Sequence, residues 1–77
     1  MTQVFFHCST PKKVFLDDRG AVVNDLAEAR DHATRLVQSL TNERRVEDWR
    51  DWVMHVNDAE GDELFVVPFT FVLGRLH

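Results

Sequence analysis

The apolar positions of this chain come in short runs broken by turn-forming residues, and their period changes along the chain. Residues 3–8, "QVFFHC", are dominated by aromatic and β-branched side chains and predict a strand. "STPKK" follows as a loop marked by Pro11. "VFLDD" at 14–18 predicts a second short strand, and "DDRG" at 17–20 a turn in which Gly20 supplies a positive φ. "AVV" at 21–23 either prolongs that strand or leads into the next element. The period then becomes helical. Asp25 suits an N-cap with Glu28 three residues on, and Leu26, Ala29, Ala33, Leu36, Val37 and Leu40 form one stripe. Charged and polar residues, His32 among them, fall on the other side. The helix is expected to end near residue 44. "WVMHVND" at 52–58 predicts a third strand, "AEGDE" a hairpin turn around Gly61, and "LFVVPFTFVL" at 64–73 a fourth and longest strand. Pro68 has no N–H for a ladder, so it requires an open edge, a bulge or a break.

The expected fold is therefore α+β with the order ββαββ: two hairpins in one four-stranded antiparallel sheet, with one amphipathic helix on one face. Neighbouring strand residues point to opposite faces. Val4, Phe6 and Cys8 thus oppose Phe5 and His7, Met54 and Val56 oppose Val53 and His55, and Phe65, Val67, Phe69 and Phe71 oppose Leu64, Val66 and Pro68. Both faces carry large apolar side chains, and one helix covers only one of them. A second copy of the chain is the simplest cover. Phe65, Val67, Phe69 and Phe71, with Trp49 beside them, are the residues expected at that interface; Trp52 is expected in the core.

Length sharpens this expectation. Seventy-seven residues make a single domain, 1–77, whose core supplies only about 3–5 kcal/mol of net stability. One cysteine rules out an internal disulfide and suggests a reducing compartment or a buried thiol. The N-terminal stretch lacks the basic and long apolar segments of a secretory signal, and no run approaches a membrane span, so a cytoplasmic location without membrane contact is expected. The net charge is −4. Arg44, Arg45 and Arg50 cluster, but Glu43, Glu47, Asp48 and Asp51 are interleaved with them, so nucleic acid is not the expected partner.

Candidate chemistry is sparse. His7 and Cys8 are strand neighbours on opposite faces, which keeps them from sharing one metal or one nucleophile–base pair. Zinc-ligand spacing is missing. His7 and His55, each after a large apolar residue in a different hairpin, share a face if their strands are neighbours in register; they are the candidate metal or pH-sensing pair. The acidic stretch "NDAEGDE" lacks the EF-hand pattern and fits a solvated hairpin tip. No phosphate loop, nucleophile elbow or cofactor motif is present, so a non-enzymatic role without a cofactor is expected.

"FFH" at 5–7, "D-x-x-G" from Asp17 to Gly20, "DLAEAR…A" from Asp25 to Ala33, "W-x-x-x-V-x-D-x-x-G" from Trp52 to Gly61, and Leu64 with Pro68–Phe69 occur together in order. This set resembles a small domain-of-unknown-function family common in rhizobia and related alphaproteobacteria. The resemblance implies a bacterial, cytoplasmic, compact domain and transfers no site residue. The aromatic tail "FTFVLGRLH" is more apolar than the resemblance implies, as a last strand extended into a partner would be. The leading expectation is a self-associating, homodimeric interaction module. The alternative is a small ligand- or metal-binding sensor domain using the strand histidines.

Overall fold

The computed structural model describes residues 1–43 and 48–73. Five strands and two helices follow in the order β1 (Thr2–Ser9), β2 (Val14–Phe15), β3 (Ala21–Val23), α1 (Leu26–Glu43), β4 (Val53–Asp58), β5 (Glu63–Pro68) and α2 (Phe69–Leu73). The sheet is antiparallel throughout, with β1 and β4 inside, β5 on one edge, and β2 and β3 both paired to the other side of β1.

The architecture is α+β as expected, but the sheet has five strands rather than four. The segment 14–23 does run antiparallel to β1, in two pieces: Cys8 faces Phe15, and Val4 faces Ala21. Between them Asp17 turns inward. Its carboxylate accepts the backbone N–H groups of Phe6 (3.1 Å), Arg19 (3.0 Å) and Gly20 (3.1 Å). One carboxylate thus replaces the ladder bonds that a continuous strand would have made. Gly20 sits at φ +70°, and a Cβ there would lie 2.5 Å from the Val4 carbonyl oxygen. The turn therefore needs glycine for two reasons, its conformation and its closeness to β1.

Helix α1 begins where the N-cap signal places it. Asp25 accepts the N–H of Glu28 at 2.8 Å, while the Glu28 carboxylate receives Asn24 Nδ2 at 3.1 Å rather than closing a reciprocal capping box. Ala29, Ala33 and Val37 are fully buried, and their small size lets the helix lie close on the sheet. Leu26, read as part of that stripe, is instead exposed. His32, read as lying on the polar side, is half-buried with its ring stacked on Phe6 at 4.7 Å.

The final strand ends at Pro68, five residues before the expected limit of 73. Pro68 ends the ladder, and α2 follows. The Phe69 N–H donates to the Trp52 carbonyl at 2.9 Å, and the Phe69 ring turns into the core between Trp49 (5.5 Å) and Trp52 (5.6 Å). Trp52 also stacks on Phe15 at 5.3 Å. Trp49, expected at the interface, is buried in the core, and Trp52, expected in the core, is half-buried and packs against it. The core lies wholly on the helix side of the sheet, built from Val4, Phe6, Cys8, Met54, Val56, Val67, Phe69, Val72 and the small residues of α1.

Candidate functional site

The opposite face of the sheet has no described element packed on it. Strand pairing fixes its occupants: Phe5, His7 and Ser9 from β1, Val53, His55 and Asn57 from β4, Val66 and Pro68 from β5, and Val14 and Val22 from the broken edge. Val14, Val22 and Val66 are 65%, 58% and 45% exposed, so this face is apolar at its margins. Its centre is polar.

His7 and His55 stand directly opposite each other on β1 and β4. Their different partners give them different tasks. His7 Nδ1 accepts the backbone N–H of Asp17 at 2.9 Å, so its proton sits on Nε2 and the ring anchors the β2–β3 turn. His55 lies between two side chains. Its Nδ1 is 2.7 Å from Glu63 Oε1, and its Nε2 is 2.7 Å from Ser9 Oγ. An ionised carboxylate only accepts, so the neutral ring carries its proton on Nδ1 and the Ser9 hydroxyl donates to Nε2. The imidazole is about one-third exposed and the carboxylate about one-half, so the chain is open to solvent at its carboxylate end and part-buried at Ser9.

Ser9 and Glu63 were not legible as site residues. Ser9 falls at the start of what reads as a loop, although alternation from His7 puts it on the same face once β1 continues through it. Glu63 depends on a bulge. Val56 faces Phe65, but Asn57 faces Glu63, which leaves Leu64 as an extra residue in β5. That single insertion carries Glu63 onto the open face beside His55.

Partial burial by itself would raise the Asp17 carboxyl. The N–H donors of Gly20, Phe6 and Arg19, with His7 nearby, outweigh it and hold the group below its ordinary value. Burial, with a smaller contribution from the Asp17 charge, pushes the Cys8 thiol up to about 11. Cys8 faces the core and is a filler rather than a nucleophile.

The residues expected at an interface are distributed differently. Val67, Phe69 and Trp49 belong to the chain's own core, and Phe65 is half-buried under the Arg30 guanidinium at 5.4 Å. Phe71 is exposed. Phe69 leaves the expected face because the strand stops at Pro68; Val67 keeps its face, which is the one that α1 covers. Arg44 and Arg45 lie outside the described residues, and Arg50 pairs with Asp48 at 2.7 Å. The acidic hairpin uses its own oxygens, since Asp58 Oδ1 accepts the N–H groups of Glu60 and Asp62. Among the described residues no three His, Cys, Asp or Glu side chains are grouped to hold a metal. None of the described helices is long and apolar enough to cross a membrane. A groove of about 510 Å³ between α1 and the β5–α2 corner contains Arg30, Thr34 and Gln38 over Val67 and Val72. The Thr34 hydroxyl there is spent on the Arg30 carbonyl, and the groove holds no acid–base pair.

These features define a small α+β domain with one covered and one open sheet face. Residues 3–70 match the family described as "Domain of unknown function (DUF6894)", and the chain belongs to that family. No curated protein and no solved structure matches it.

Proposed function

We propose that this domain is a non-enzymatic interaction module that self-associates by packing the open face of its sheet against the same face of a second copy. The observation that carries the proposal is the apolar margin of Val14, Val22, Val53, Val66 and Phe5 with no described element above it. The sheet edges are poor alternatives. One is broken at residues 16–20, and the other ends in Pro68, both devices that discourage strand-to-strand addition. With β1, β4 and β5 of six to eight residues and the short β2 and β3 sharing a fourth column, the open face covers about 400–500 Å² per copy. Two such faces bury about 800–1,000 Å² in total, at the lower limit for a specific interface. A weak homodimer is the expected product, and a bacterial cytoplasmic setting agrees with the single unpaired thiol.

Sedimentation across micromolar concentrations tests this. A monomer–dimer equilibrium abolished by Val66→Asp or Val53→Asp supports it; a clean monomer at all concentrations refutes it.

A second reading, a ligand- or metal-binding sensor, draws on the direct opposition of His7 and His55. Three of their four ring nitrogens already have protein partners. Titration with zinc, nickel and copper, followed by Trp52 fluorescence, decides it. A response lost in the His7→Ala/His55→Ala double variant supports the reading, and no response removes it.

A further inference from the structure

Ser9, His55 and Glu63 form a hydroxyl–imidazole–carboxylate chain with two 2.7 Å links. The order is that of a nucleophile, its base and the group that fixes the base's tautomer. Three separate strands supply the members, so the arrangement is held by the ladder rather than by a flexible loop. The proton positions follow from chemistry, because the Glu63 carboxylate fixes the Nδ1 proton and leaves the Nε2 lone pair facing the Ser9 hydroxyl. The surroundings suit an acyl group. Ser9 faces Val14 on one side and Val53 on the other, and Val53 in turn faces Pro68, an apolar row across the sheet beside the hydroxyl.

We infer that Ser9 is an acyl-acceptor site for activated esters of short aliphatic acids, with His55 as its base and Glu63 as the positioning residue. In the step, the Ser9 oxygen forms a bond to the acyl carbon and the ester C–O bond breaks. The Ser9 proton passes to His55 Nε2 and from there to the departing alkoxide. The product is an O-acyl serine, formed once per chain, with no oxidant or further reactant. The site lies on the face assigned to self-association but does not depend on that assignment, because the chain of contacts is complete within one copy.

The experiment exposes the protein to p-nitrophenyl butyrate at submicromolar protein concentration, follows p-nitrophenolate release, and maps the adduct by peptide mass spectrometry. The Val22→Asp variant, at the far edge of the same face opposite Gln3, is run in parallel, so that occlusion by a partner copy cannot hide the site. The expected result is one butyryl group on Ser9, absent in Ser9→Ala. Acylation should slow by about 100-fold or more in His55→Gln, within the range for a lost general base. Glu63→Gln should lower the limiting acylation rate while leaving the half-saturating ester concentration unchanged, which a merely structural role would not do. That variant decides the matter if His55→Gln fails to fold. No adduct on either protein overturns the inference, as does an adduct on another residue or a Ser9 adduct whose rate ignores both substitutions. Because acylation is read on monomeric protein, these outcomes are independent of whether the chain sediments as a dimer.

Discussion

Strand β1 presents two different surfaces on alternate residues. Val4, Phe6 and Cys8 are all less than a tenth exposed and belong to the core; Phe5, His7 and Ser9, interleaved with them, are half-buried with no second layer among the described residues. The two faces share one backbone and one register, so the contrast comes from what lies above each. The covered face gains dispersion contacts and loses water, and carries the stability. The open face carries the His7, His55, Ser9 and Glu63 hydrogen bonds. A domain this small has material for one core, and its spare face is where function has room.

The largest effect should come from emptying the covered face. Phe69 is fully buried between two indoles, and Phe69→Ala is expected to cost about 3–5 kcal/mol, read as a lower urea midpoint. Next is the turn that ties the faces together. Gly20→Ala adds a Cβ against the Val4 carbonyl in a left-handed conformation and should cost about 2–4 kcal/mol. Gly61→Ala, at φ +93° with nothing within 4 Å, should cost only about 1–2 kcal/mol. Equal losses at the two glycines would mean that Gly20 does not pack against β1.

Acid and base should separate the faces further. Asp17 holds its proton less tightly when folded than its ordinary value of 3.8. Its contribution is therefore present above that value and lost as pH falls through the lower folded value, and the loss should be missing in Asp17→Asn. Cys8 has the opposite sign, from an ordinary 9.0 to about 11. The unfolded thiol ionises first, so stability should fall as pH rises from 9 toward 11, and Cys8→Ala should remove that slope. Denaturation midpoints across pH check both. The smallest effect on stability should come from the open face. Val66→Asp is expected to leave monomer stability within about 0.5 kcal/mol while eliminating association. A large loss of monomer stability there would show that the open face is a second core.

Much of the fold was legible because it rests on short-range rules. Asp25 capping α1, the alternation in β1 and β4, and the turn at Gly61 depend on neighbours within four residues. The segments that read wrongly were settled by distant ones. "LFVVPFTFVL" has strand composition to residue 73, yet Phe69 lies in α2, its ring between the rings of Trp49 and Trp52. Asp17 reads as an ordinary turn acid; its hydrogen bond to the Phe6 N–H splits the edge strand in two.

The sequence by itself determined the α+β class, the amphipathic helix, the two-faced strands, and that His7 and His55 would share a surface if their strands met. Only the tertiary structure decided that they do meet, that Val67, Phe69 and Trp49 are spent on the core, and that Ser9 and Glu63 reach His55. The physical reason is register. Alternation within a strand says which residues share a side, whereas pairing between strands, with one extra residue at Leu64, says which of them touch.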